Sequence, residues 1–141
     1  MILCVTACST EKNTAQSRWW HSFNTRYNVY YNGSVAYIDG ALEKEQGNKD
    51  NFTEIIPLYT VGNKSSRELG KANFDKAIKK SEKAIQLHSI KRRPIWDKNR
   101  RKTERDIEWL NRREYNPFLW KVWLMMGKAQ FDQGAFEEAA S

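Results

Sequence analysis

The side chains best suited to chemistry in this 141-residue chain are few: two histidines, His21 and His88, and two cysteines, Cys4 and Cys8. A zinc site needs three or four His, Cys or carboxylate ligands, and a nucleophile–base pair needs a third group to orient the base. Neither histidine has a Cys or Asp motif nearby, the two fall on different predicted helices, and each reads as a surface or packing residue. The "GKA" at Gly127 lacks the upstream glycine and the following Ser or Thr of a phosphate-binding loop. Glu43 with Glu45, and Glu137 with Glu138, lie in solvated helical runs that give no sign of acid–base work. The expectation is a protein that is not an enzyme, with no cofactor, no metal and no small-molecule substrate.

Cys8 stands in a different setting. In "MILCVTACSTEKNT" an apolar stub and the small residues Thr6 and Ala7 precede it, and polar residues follow. This looks like a bacterial lipoprotein processing site, where a peptidase needs a small residue before the cysteine and the thiol receives the lipid. On that reading residues 1–7 are a residual signal peptide, Cys8 is the lipid attachment site and residues 8–16 are a polar tether. The apolar core is short and no Lys or Arg precedes Cys8, so the true start is expected upstream. Cleavage would remove Cys4 and leave one acylated cysteine, hence no disulfide. Acyl chains contribute about 0.8 kcal/mol per buried CH2, enough together for a firm anchor. Ser9 after the cysteine, in place of Asp, looks like a choice for the outer membrane. The plainer alternative is that Cys8 is a small buried hydrophobe near a terminus.

The elements that would carry these groups follow from apolar spacing. Ser17 is a candidate cap, and from Arg18 the aromatics Trp20, Phe23, Tyr27 and Tyr30 or Tyr31 recur at three and four residues, a helical stripe expected to face the core. Asn32-Gly33 is a place to end or bend that helix, and "SVAYIDGALEKE" continues it. Between Gly47 and Gly70 the pattern is irregular. Pro57 argues against a central strand, so "EIIPLY" is expected as an ordered loop packing Ile55, Ile56, Leu58 and Tyr59 on the helices. "NFDKAIKKSEKAIQLHS" then carries Phe74, Ala77, Ile78, Ser81, Ala84, Ile85 and Leu87 on one face, with lysines opposite.

The segment "IKRRPIWDKNRRKTERDIEWLNRRE" is the most basic part of a chain whose net charge is +7. Asp97 is a candidate cap for a helix running toward Asn116-Pro117. Arg92, Arg93, Arg100, Arg101 and Lys102 form a candidate basic contact surface. With Trp96, Trp109 and Tyr115 interleaved, they could neutralise phosphates and stack on bases, which defines the alternative function, a soluble basic helical RNA-binding module. The acids Glu104, Asp106, Glu108 and Glu114 dilute that field, so nucleic acid is the less favoured partner. No run of 18 apolar residues exists, so no transmembrane helix is predicted.

"GKAQFDQGAFEEAA" places two glycines in otherwise helical sequence, each costing about 1 kcal/mol relative to alanine. A geometric reason for both is a tetratricopeptide repeat, in which paired helices approach closely at small residues and a glycine turns the chain between them. Trp123, Met126, Gly127, Ala129, Phe131, Gly134, Phe136 and Ala139 fall on that pattern, with Gln130 in an aromatic position. Phe74, Ala77 and Ala84 resemble the second helix of an earlier repeat, with an insertion between the two. The fold class expected is therefore all-α, with antiparallel helix pairs of α-solenoid type and an irregular loop insertion, over residues 17–141.

"RYNVYYNG", "NFTEIIPLY", the helix from Phe74 to His88 and "REYNPFLWKVWLMMGKAQFDQGAFEEAA" together resemble the amino-terminal region of the tetratricopeptide lipoproteins of gliding motility and type IX secretion in Bacteroidota, the SprE or PorW family. The resemblance covers most of the chain from Cys8 onward. It implies an outer-membrane lipoprotein on the periplasmic face, a scaffold or adaptor whose partners are protein components of the secretion translocon. It also implies that further repeats follow, with residues 117–141 cut within one, leaving the face of Trp123, Met126 and Phe136 uncovered.

Overall fold

The computed structural model describes residues 12–141, and among these the protein is all-helical with no strand. The first element is an unbroken rod: α1 (Ala15–Asn24), a widened π-helical stretch (Thr25–Tyr30) and α2 (Tyr31–Gly47). After a loop containing two short 3-10 turns come α3 (Lys71–His88), α4 (Glu104–Leu110), α5 (Leu119–Gln133) and α6 (Phe136–Ala140). The rod is capped by Thr14, whose hydroxyl accepts from the Ser17 N–H at 3.2 Å. Ser17, the expected cap, is instead buried inside the first turns.

Along the rod the buried residues are Ser17, His21, Thr25, Val29, Gly33, Ala36, Gly40 and Lys44. The first five are spaced by four, and at 3.6 residues per turn such a row drifts by about 40° at each step. The wider π turn at Thr25–Tyr30 offsets that drift and keeps one small, polar stripe facing α3. The consequence reverses the expectation for the aromatics: Trp20, Phe23, Tyr27 and Tyr31 are exposed, because burying the small stripe turns them outward. Trp19, Phe23 and Tyr27 cover one another on the surface, with ring centroids 5.4 and 4.8 Å apart. Asn32-Gly33 does not break the rod.

α3 lies between α2 and α5, antiparallel to both. Gly40 of α2 meets the start of α3 at Gly70 and Phe74, whereas Gly33 meets Lys80 further along. On α5, Gln133 bonds Asp75 at 2.7 Å, and Ala84 packs with Leu119 and Val122 near the other end. Phe74, Ala77 and Ala84 are fully buried, in contact groups that join Val29 and Ala36 of the rod to Leu119, Val122 and Ala129 of α5. The tightest approach is at Gly70, with φ +71°, where an added Cβ would lie 2.3 Å from the Gly40 carbonyl oxygen. A side chain there would be strained by both backbone and neighbour.

Lys44, only 2% exposed, donates to the Asp132 carbonyl oxygen and so ties α2 to α5. Burial lowers its pKa, against the opposing pull of Asp132. Beside it Tyr37 donates to the Asp132 carboxylate at 2.8 Å. Burial first, and that bond second, push the phenol up to about 12.

The loop between α2 and α3 is indeed not a strand, but it does not pack as expected. Ile55 is 97% and Leu58 87% exposed, and Ile56 and Tyr59 are also exposed. Asn63 closes the loop on itself by donating to the Lys49 carbonyl at 3.0 Å and to Asn48, while Val61 and Ser66 are the residues that go inside. Residues 52–59 are thereby held off the helices.

Candidate functional site

The lipid attachment expected at Cys8 and the signal at 1–7 lie outside the described residues. The end of the expected tether is packed: Asn13 is buried, and its amide donates to the Arg92 carbonyl at 2.7 Å. The positions assigned to repeat packing divide into two groups. Phe74, Ala77, Ala84 and Ala129 are buried at the α2–α3–α5 contacts. Gly127, Gly134, Phe131, Phe136 and Ala139 belong to the hairpin of α5 and α6. Gly134, at φ +80°, turns the chain, and α6 folds back so that Phe136 meets Phe131 at 5.4 Å and Ala139 comes opposite Gly127. Trp123 is exposed and Met126 half-buried, the buried methionine being Met125. Tyr37, Trp123, Leu124, Phe131 and Ala139 border an open groove of about 700 Å³ on this side. Leu87, on the same predicted stripe as Ala84, is exposed.

At the other end of the stack four segments converge. α4 begins with a capping box between Thr103 and Asp106, not at Asp97, whose carboxylate instead accepts from the Asn99 N–H. The bonds from Thr103, with Arg100 at 3.9 Å, hold the Asp106 pKa below its ordinary value. α4 is too short to reach Asn116; the chain after it is fixed by Glu114, whose carboxylate accepts from the Ile90, Tyr115 and Asn116 N–H groups and the Ser89 hydroxyl. Asn116, buried, donates to the His88 carbonyl at 2.9 Å and to the Thr25 hydroxyl at 3.2 Å.

His21 and His88, placed apart by the sequence, are both buried here with their Nδ1 atoms 3.1 Å apart. One ring must donate and the other accept. Burial, with His21 beside it, lowers the His88 pKa. These two groups, with Asn116 and Thr25, pin α1, α3 and the start of α5 together. Among the described residues no cluster of three or more His, Cys, Asp or Glu could hold a metal ion. The available signal was the polar row Ser17, His21, Thr25 at intervals of four, which the adjacent aromatic row outweighed.

Trp109 rises from this junction, edge-on to Tyr115 at 5.6 Å and covered by the Arg18 guanidinium at 5.1 Å. On one side of it lies a cleft of about 600 Å³ with Trp19, Trp120, Trp123 and Arg112 on its walls. On the other side lies one of about 560 Å³ bordered by Lys12, Arg18, Arg92 and Arg93. Arg100, Arg101 and Lys102 are exposed and border neither cleft; Arg100 stacks on Trp96 at 5.0 Å. The structure thus groups Arg92 and Arg93 with Arg18 of α1, a partner that no spacing within the basic segment could indicate. No family model matches the sequence, and no curated protein matches it.

Proposed function

We propose that the protein is a lipid-anchored scaffold of the type IX secretion and gliding machinery, held at the periplasmic face of the outer membrane through Cys8 and joining translocon components by protein–protein contacts. Its helices act as successive tetratricopeptide units: α2 with α3, then α5 with α6. The observation that carries this reading is the α5–α6 hairpin, where the left-handed Gly134 reverses the chain and Gly127 faces Ala139 across the pair. The position of α3 between α2 and α5 supports it, because in stacked repeats each second helix contacts the first helix of its own unit and of the next. On this reading the surface is a passive platform that acts by protein–protein contact.

Metabolic labelling of the protein with a palmitate analogue tests the anchor. Label is expected on the natural chain and not on Cys8→Ala; equal labelling of the two removes the membrane attachment. Gentle extraction of the protein from its membrane is expected to bring other envelope proteins with it.

A further inference from the structure

We propose that the two clefts beside Trp109 form one binding site for an acidic peptide segment bearing a large apolar side chain, a partner chemistry that rests on the scaffold reading above. The cationic side is a built feature. Asn13, buried, accepts from Arg18 at 2.6 Å and donates to the backbone of Arg92, fixing one arginine from α1 and the chain carrying Arg92 and Arg93 around the same space. Arg18 is further held over the Trp109 ring at 5.1 Å, so the Asn13 bond and the ring together restrict the freedom of its guanidinium. Among the described residues none of Lys12, Arg18, Arg92 and Arg93 makes an ion pair, and no carboxylate borders this cleft. Four like charges around one space repel each other, and a carboxylate-rich ligand relieves that repulsion.

The other side of Trp109 offers a different chemistry. Trp19, Trp120 and Trp123 are more than half exposed, although large aromatic rings normally gain by leaving water. They face one cleft, whose single bordering carboxylate, Glu114, is occupied by four hydrogen bonds within the protein. Anion recognition and apolar recognition therefore meet at Trp109 and Arg18, which border both clefts. A single-stranded polynucleotide needs cations along its whole course between stacking rings. Here Lys12, Arg92 and Arg93 gather on one side, against Arg112 alone on the other with Arg18 shared, which favours a ligand whose negative charge is equally local.

The test uses the full chain and a fluorescein-labelled peptide of four glutamates followed by Leu-Phe, followed by anisotropy at low salt. Saturable binding that weakens with salt is expected, and about tenfold or greater weakening when the glutamates become glutamines or Leu-Phe becomes Ala-Ala. Arg93→Glu and Trp120→Ala alter exposed side chains and are expected to weaken binding similarly with helicity unchanged. Lys79→Glu, the same charge change on the exposed side of α3, is expected to leave it intact. No saturable binding overturns the proposal, as does equal loss in Lys79→Glu, or tighter binding of a twelve-thymidine oligonucleotide than of the peptide. Failure here is separable from failure of the scaffold: envelope partners that still co-purify with an Arg92→Glu/Arg93→Glu protein would sink this site and leave the scaffold standing.

Discussion

The middle of the stack and its Trp109 end are held together by opposite means. Where α2, α3 and α5 meet, the contacts are made by residues with little side chain, Gly33, Gly40, Ala77, Ala84 and Ala129, around a few large fillers such as Phe74 and Leu119. At the other end the contacts are hydrogen bonds, between His21 and His88, from Asn116 to Thr25 and His88, and from three backbone N–H groups to the Glu114 carboxylate, while Trp19, Trp120 and Trp123 stay in water. A close-packed seam responds first to added volume, and its titrating groups, Lys44 and Tyr37, change charge on the alkaline side of neutrality. A polar junction responds to protons and tolerates bulk on its wet side.

The largest effect is expected at the seam. Gly70→Ala forces a Cβ against the Gly40 carbonyl in a backbone conformation that side chains avoid, and should cost about 3 kcal/mol or more. Urea unfolding followed by helical circular dichroism measures it. A midpoint close to that of the natural chain would mean that α2 and α3 do not approach as described.

A smaller effect, specific to the polar end, is expected from pH. The folded protein holds His88 below its ordinary value of 6.5, because burial and the neighbouring His21 disfavour a proton there. The unfolded chain then binds that proton first as pH falls. The His88 contribution to stability is therefore fully present above about pH 6.5 and is lost as pH descends through the lowered value. His88→Gln, which keeps a polar group but cannot take a proton, should flatten the slope between neutral pH and the onset of carboxylate titration. Melting temperatures across that range decide the matter; parallel slopes for the two proteins would show that the pair does not govern it.

The two ends were also unequally legible. The α3 stripe of Phe74, Ala77, Ser81 and Ala84 could be read directly, since one face is apolar and the other carries lysines. The α1 stripe could not, because aromatic and small polar residues both recur at helical spacing. Periodicity shows that a face exists without showing which face has a partner at close range. Ile55 and Leu58 misled for a related reason: apolar type predicts burial only where an adjoining surface is within reach, and the Asn48–Asn63 closure holds that loop away. The cleft beside Trp109 depends on Asn13 meeting Arg92 across 79 residues, a distance over which local spacing carries no information.

Gly127 gives the finest division between tight packing and mere small-residue preference. The sequence placed it as a glycine demanded by close helices, yet among the described residues outside its own turn of helix an added Cβ would meet within 4 Å just the Ala139 carbonyl oxygen, at 3.6 Å, an ordinary contact. Its backbone is helical, so no left-handed conformation requires glycine there. Gly127→Ala should consequently leave the α5–α6 hairpin in place and raise stability by up to about 1 kcal/mol through helix propensity. A larger residue is a different matter, since Gly127→Leu would drive α6 off α5. If alanine already destabilises in the same urea assay, the hairpin is tighter than described, and the seam that begins at Gly70 extends through α6 as well.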